Sequence, residues 1–497
     1  PLCVSALCRS RADWLYGMNM TRAYTIQGGK AGYKGVLSVG RVQTPLLGLV
    51  VKRQQEIENF KSRDFYEVHA RINKDTKQPM PIISLKWQPS AACLPYQDEE
   101  GRLLHRPLAQ NVCERVTGQP AHITQVEKKD KKQNAPLPFN LSTLQIELAK
   151  KFGMNAKLVL DTCQTLYERH KLITYPRSDC RYLPEQHFNE SREVLNAIKR
   201  NCHDLETPVN NANPASKSKA WNDKKVDAHH AIIPTQKTMA PSQLSKVELQ
   251  VYNHIAKQYI VQFYPAYEYC ETILEATIAG GLFKSQTKLA KNVGWKIFFK
   301  ENTNAASATL PSINIGETWH CQEAIISDKQ TQAPEFFSDA TLLAAMTGIS
   351  RFVQNKDIRK TLKETDGLGT EATRAGIIEL LFTRKFLTRV GKQIHATSVG
   401  VALINSLPDS AVTPDMTAQW EQQLNAISHK ELNYQGFMGP LNNHLTTLLT
   451  QAKEHIPTAL KGIKSDHNPF KKKSFRKKGS AKSSAKGTTR RKKPSAA

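Results

Sequence analysis

Between Tyr66 and Ile72 apolar and polar residues alternate strictly, with Tyr66, Val68, Ala70 and Ile72 on one side and Glu67, His69 and Arg71 on the other. A period of two marks a strand with one face buried. The pattern returns far along the chain, at Cys270-Thr272-Leu274-Ala276-Ile278, at Trp295-Ile297-Phe299 and near Ile313-Ile315. A few strands alone are not stable in water, so the two separated blocks are expected to share one sheet. The chain between them is then an excursion from that sheet.

The excursion reads as helical. A capping box is expected at Ser142-x-x-Gln145, with Leu144, Leu148 and Phe152 running down one face to Gly153. A second helix follows, with Ala156, Val159, Leu160, Cys163, Leu166 and Tyr167 at helical spacing, and then a strand around Tyr175. Helix, helix, strand is the order of a winged-helix module. A related order comes later. Ser338 precedes Leu342-Leu343-Ala344-Ala345-Met346, and Gly367-Leu368-Gly369-Thr370-Glu371-Ala372-Thr373-Arg374 opens a helix bearing Ile377, Ile378, Leu381 and Phe382. Lys385-Phe386-Leu387-Thr388 then echoes Lys171-Leu172-Ile173-Thr174. Two helix-rich modules of related shape are expected. From Asp13 to Phe60 the pattern is also helical, with Trp14, Leu15 and Met18 on one apolar face and Leu46, Leu47, Val50 and Val51 on another.

At 497 residues the chain has room for roughly three or four domains. Its charge is the distinctive total: 70 Lys and Arg against 44 Asp and Glu, a net +26, which points to a polyanionic partner. An anionic membrane competes with nucleic acid for that role, but no run of 18 apolar residues is present to span a bilayer. Residues 461–497 alone carry 14 Lys and Arg against one Asp, a segment expected to be disordered and to bind nucleic acid without reading its sequence. Residues 203–225 form a second polar stretch, expected to be mobile. Nine cysteines, odd in number and never spaced C-x-x-C, argue against a zinc ribbon or a disulfide framework and for a reducing cytoplasm. The chain opens on Pro1 and its first methionine is Met18, so a fragment of a longer protein is expected.

The stretch with chemistry in it is Leu172-Ile173-Thr174-Tyr175-Pro176-Arg177-Ser178-Asp179. Pro176 stops regular structure and biases Tyr175 towards extended backbone, so the phenol is expected at a strand end with Arg177 on the same face. A phenol is a poor nucleophile until a nearby cation favours its anion, and a guanidinium fork can clamp the oxygens of a phosphodiester. Upstream, Ser38-Val39-Gly40-Arg41-Val42-Gln43-Thr44-Pro45 lies where a helix is expected to start and either cradles a phosphate or simply caps the helix. Thr370 and Thr373 carry the same two readings. In Asp227-Ala228-His229-His230-Ala231-Ile232-Ile233-Pro234-Thr235 the adjacent histidines point apart and make a poor metal pair, but one beside a phosphate could donate a hydrogen bond or shuttle a proton.

These four motifs, in this order, resemble the type IA DNA topoisomerase family, most strongly its bacterial topoisomerase III branch, over about residues 1–455. The resemblance implies a multidomain α+β ring of helical winged-helix-like modules joined by a strand-rich arch. The divisions expected are a first helical gate segment (1–62), a first arch segment (63–135), a winged-helix-like domain bearing Tyr175 (136–265), a second arch segment (266–330), a second helical gate domain (331–458) and a basic tail (459–497). It implies ATP-independent cleavage of one DNA strand with Tyr175 linked to the 5′ phosphate, then strand passage and religation, for relaxation and decatenation. Arg177 matches the arginine that holds the scissile phosphate and His229 the active-site histidine. Ser38, Val39, Gly40, Arg41, Val42 and Gln43 match a DNA-contacting segment, and Thr373 a threonine near the bound strand. Residues 300–310 fall where a decatenation loop occurs, with few charges.

Implied partners are single-stranded DNA and DNA crossings, with a helicase or single-strand-binding protein beside them and no membrane, in a bacterial cytoplasm at the nucleoid. The family uses Mg²⁺ held by an Asp-x-Asp-x-Glu cluster in a Toprim domain, together with a glutamate for proton transfer. No Asp-x-Asp-x-Glu occurs in this sequence, so the metal ligands are expected outside it. The competing reading is a non-catalytic single-stranded DNA-binding protein built from the same modules.

Overall fold

The structure is a computed structural model that describes residues 1–74, 82–299, 311–353, 359–360, 367–454 and 456–463. In chain order, α1 (Leu2–Lys30) and α2 (Gln43–Glu58) precede β1 (Asp64–Asn73) and β2 (Ile83–Gln88), and α3 (Arg106–Val116) leads into β3 (Pro120–Gln133). The excursion holds α4 (Leu141–Phe152), α5 (Ala156–Glu168), α6 (Ser191–Asn201), α7 (Glu206–Asn210) and α8 (Lys246–Ile260). Then come β4 (Tyr267–Ile278), β5 (Gly281–Asn292), β6 (Thr318–Gln330), α9 (Asp339–Thr347) and α10 (Glu371–Thr383). The hairpin β7 (Leu387–Val390) and β8 (Gln393–Ala396), then α11 (Ser398–Ser406), α12 (Asp409–Val412), α13 (Asp415–Ser428) and α14 (Tyr434–Glu454) complete it.

The two alternating blocks do share one sheet. Strands β1-β2-β5-β4-β3-β6 close into an antiparallel barrel, with β1 paired to β6 and β3 to β4 across the excursion. Its interior is Val68, Ala70, Ile72, Leu85, Leu274, Ala276, Phe283 and Trp319, with Val112 and Val116 of α3 packed in. Closure leaves no sheet edge among these six strands. The helices bury a separate core.

Four sequence expectations fail here for local reasons. Residues 294–298 form a 3₁₀ turn, because Gly294 takes φ +49 where a Cβ would lie 2.4 Å from the Pro265 carbonyl. Ile313 is buried and Ile315 exposed, but in irregular chain ahead of β6. On α1, Trp14 and Met18 face solvent, and the buried stripe is Ala12, Tyr16, Met20 and Tyr24, four residues apart. The cap of α4 is Asn140 with Thr143, two residues before Ser142, and Phe152 at its far end is 47 % exposed. Gly153 ends that helix at φ +68, as expected. The polar stretch at 203–225 forms short helical turns tied down by a hydrogen bond from Ser218 to Gln262. Packed chain reaches Leu460, buried in the helical core. Residues 464–497 and 300–310 lie outside the described residues.

The two modules are a structural repeat, as backbone bonds show. Phe139 accepts from the Ile232 amide, and Phe337 from the Ile394 amide. Asn140 with Thr143 caps α4, and Ser338 with Thr341 caps α9. Lys171 and Lys385 both take left-handed backbone, φ 58 and 63, after the second helix. Each lysine carbonyl then accepts a threonine hydroxyl, Thr235 at 2.6 Å and Thr397 at 2.7 Å. In the second module the chain between is the short β7–β8 hairpin. In the first it is expanded to carry Tyr175, α6 and α7.

His254 of α8 is buried against Phe139, ring centroids 5.2 Å apart, and its Nε2 has no hydrogen-bond partner. Burial first, then Lys151 and Lys257, hold its pKa down at about 3. The unfolded chain, with imidazole near 6.5, therefore takes up this proton first as the pH falls. Stability present above that value is lost as pH falls towards 3, about 2 kcal/mol of it by roughly pH 5. We expect a fall in urea midpoint between pH 7 and 5 that His254→Phe, which keeps the ring stack, makes shallower.

Candidate active site

Leu172 and Ile173 are buried and carry the chain to the surface, but they do not form the expected strand. Ile173 makes one isolated bridge to Pro234, and the backbone bends at Thr174. The Thr174 hydroxyl takes over as ladder partner, accepting from the Ile233 amide and donating to the Ala231 carbonyl. Pro176, without an N–H, then begins a turn. Tyr175 is left 38 % exposed at the bend, and its hydroxyl makes no hydrogen bond among the described residues.

The histidine motif is brought to it by the same hydrogen bonds. Ala231 donates to the Tyr182 carbonyl and Ile232 to Phe139, which lays His229 on Tyr175 with ring centroids 4.8 Å apart and planes 21° from parallel. Tyr167 of α5 meets the tyrosine edge-on at 5.8 Å. One turn earlier on that helix the Gln164 amide faces Arg177, and assigning its oxygen to the guanidinium side, the assignment that satisfies both groups, lets it accept from Arg177 at 3.3 Å (Nε) and 2.5 Å (Nη2). Residues three apart share a helix face, so phenol and guanidinium lie side by side over α5. His230 points elsewhere, edge-on to His187, and burial lowers its pKa. Tyr175, Arg177 and His229 thus come together.

A second group forms a cleft of about 530 Å³ lined by Arg9, Asp13, Arg41, Val42, Thr373 and Glu421, among others. Arg41 is buried and its guanidinium is committed to Asp13 and Glu421. Burial opposes the charge of Arg41, but these carboxylates outweigh it and raise its pKa. Burial likewise opposes ionisation of Glu421, which Arg9 and Arg41 nevertheless hold below the usual carboxylate range. Of the Ser38–Gln43 segment only Arg41 and Val42 line the cleft; Ser38, Val39 and Gln43 are buried, and Gly40 and Val42 are half-buried. Thr373 is exposed and exchanges contacts with Thr370 at the start of α10. Gly369 holds φ +74 there with its Cα side against Val42 and Thr373.

The first turn of α4 links the two groups. The Leu141 amide donates to the Ser178 carbonyl and Asn140 to that of Asp179, both in the tyrosine loop. The next amide, Ser142, donates to Glu371 of α10. Gln164, Tyr167, Glu371 and Arg374 were not singled out from sequence. From sequence Tyr167 is placed only in the helical stripe of α5, Gln164 lies three residues before it on the same helix, and Glu371 and Arg374 lie inside the Gly367–Arg374 motif without a role of their own.

Among the described residues no three His, Cys, Asp or Glu side chains are placed to hold a metal ion. The carboxylates of the cleft, Asp13 and Glu421, are paired with arginines. The donor set here does not fit Mg²⁺. No described helix is long and apolar enough to cross a membrane.

This arrangement is similar to known proteins over most of its length. The family profile described as DNA topoisomerase matches residues 1–439. A DNA topoisomerase 3 of Salmonella typhimurium is 54% identical over 97% of this chain and 74% of its own length. One from Haemophilus influenzae is 53% identical over 90% and 70%. The solved full-length topoisomerase I of Thermotoga maritima shares the fold at TM-score 0.63 and 19% identity, over 90% of this chain and 68% of that one. The chain belongs to the type IA DNA topoisomerase family, an isomerase class, and resembles its bacterial topoisomerase III members.

Proposed function

We propose that this chain carries the strand-breaking and strand-passing part of the enzyme, with Tyr175 as nucleophile. The observation that carries the reading is the stack of His229 on a solvent-open Tyr175, with Arg177 of the following turn facing Gln164 of α5. The Tyr175 oxygen loses its proton and bonds to phosphorus, the bond from phosphorus to the 3′ oxygen breaks, and that oxygen takes a proton. The product is a 5′-phosphotyrosine, and religation is the reverse. Arg177 clamps the non-bridging oxygens, where negative charge grows. His229 orients the phenol ring and contacts the phosphate. The cleft with Val42 and Thr373 receives the bound single strand, with Ser38, Val39, Gly40, Arg41 and Gln43 in the segment that carries Val42.

Mg²⁺ and the acid for the 3′ oxygen are supplied, in this reading, by a Toprim-type domain that these residues do not include. The domain divisions stated from sequence belong to the same reading, with the barrel as the arch between two helical gate modules. So do DNA crossings, a helicase or single-strand-binding partner, and a cytoplasmic, nucleoid-associated site of action. The test is relaxation of negatively supercoiled plasmid with Mg²⁺, by the chain alone and with the Toprim domain added. We expect single-strand DNA binding in both cases and relaxation only in the second. Relaxation by the chain alone would require another acid within it, and binding without relaxation in either case would favour a non-catalytic DNA binder.

Residues 461–497 are assigned to non-specific DNA contact. If their 14 cations touch even about five phosphates, deleting them should flatten the slope of log K against log salt by roughly 3 to 4, at about 0.7 per phosphate. An unchanged slope in a salt titration would assign the tail elsewhere.

A further inference from the structure

We infer that Glu371 and Arg374 are the latch that holds the two modules closed and sets the tyrosine loop in register. The inference rests on the reading of the modules as the DNA gate. Helices α4 and α9, equivalent in the repeat, pack on each other, and α10 packs on α5. At the heart of this contact Glu371 accepts the Ser142 amide at 2.6 Å, while Arg374 donates to the Ser142 hydroxyl at 2.8 Å and to Glu371 at 2.7 Å. Arg374 also reaches the Leu368 carbonyl, beside Gly367, which at φ +81 brings the chain against Met346. All three residues are buried, Arg374 to 1 % exposure.

At the equivalent positions of the repeat the residues are apolar. The first and fourth residues of α5, which correspond to Glu371 and Arg374 on α10, are Ala156 and Val159, and the counterpart of Ser142 on α9 is Ala340. One copy of the motif is apolar and its sister is ionic. A buried ion pair roughly breaks even against apolar packing, because both ions regain water when the contact opens. It therefore fixes register in the closed state without locking that state, which suits a gate that must open and reclose. Its grip falls on the turn of α4 whose Leu141 and Asn140 hold the Ser178 and Asp179 carbonyls beyond Tyr175. Glu371 also stands two residues from Thr373 on the cleft. It is a positioning residue acting through α4, not a group that touches DNA.

The test is a distance measurement in the whole chain, between labels on exposed Asn196 of α6 and Gln422 of α13, attached by non-cysteine chemistry because nine native thiols are present. Glu371→Gln keeps the shape but removes the carboxylate that accepts both the Ser142 amide and the Arg374 guanidinium, and the open population should rise about tenfold or more. The composite Ser142→Ala, Glu371→Ala, Arg374→Val copies the apolar sister and should return the distance to the closed value. A structural role alone would leave the composite at least as open as the single variant. An unchanged distance distribution in Glu371→Gln, or a composite as open as Glu371→Gln, would overturn the latch. Circular dichroism confirms that each variant is folded before it is scored. Tyr175→Phe serves as control and should leave the distances alone, so failure of the cleavage chemistry is read separately from failure of the latch.

Discussion

Tyr175→Phe, in protein supplied with the metal-bearing domain, is expected to abolish the covalent DNA adduct completely and to leave single-strand DNA binding near its original strength. The ring stack with His229 and the edge contact with Tyr167 involve only the aromatic face and edge, which phenylalanine keeps. Among the described residues the hydroxyl makes no hydrogen bond, and the bend is fixed by Thr174 and Ala231. What disappears is the oxygen that the proposed mechanism uses as nucleophile. Strand-end-labelled DNA on a denaturing gel gives the answer: any remaining adduct to a 5′ phosphate would remove Tyr175 from the role.

Arg177→Ala is expected to slow cleavage by about 10²–10³, the loss typical of one preorganised donor on a developing oxyanion. The guanidinium is exposed, so the fold should be unaffected and the loss should fall on the chemical step rather than on DNA affinity. Gln164→Ala provides the graded comparison. It leaves the charge but removes the amide that aims it, and should cost less than loss of the arginine. Single-turnover cleavage rates at saturating DNA separate the two effects. An Arg177→Ala protein that cleaved at the original rate but bound DNA weakly would make the residue a docking contact only.

Much of the fold was legible because its pattern is local and periodic. The alternation at Tyr66–Ile72 and Cys270–Ile278 identified strands of one sheet, and burial bears this out at Val68, Ala70, Leu274 and Ala276. The Leu46 to Val51 face of α2 and the stripe of α5 were equally plain. Where the period was short or mixed, it misled. Trp295, Ile297 and Phe299 alternate in sequence, yet one glycine at positive φ opens a 3₁₀ turn that takes in Trp295 and Ile297 and ends just before Phe299. Trp14 and Met18 are apolar but lie opposite the stripe that packs, and periodicity cannot say which of two apolar faces finds a partner.

The candidate site divides the same way. Tyr175, Arg177 and His229 could be named from sequence because their side-chain chemistry and their neighbours, Pro176 and the alanines about the histidines, are written in short motifs. Sequence by itself also determined the polyanion preference, through a net charge that no folding can remove. Only the tertiary structure decided that Arg41 is consumed by Asp13 and Glu421, that Gln164 aims Arg177, and that Glu371 reaches the amide of Ser142. Those partners lie on different helices, and Glu371 and Ser142 are 229 positions apart in the chain. Such pairings are fixed by how helices pack against one another, and packing is a property of surfaces that no single stretch of sequence contains.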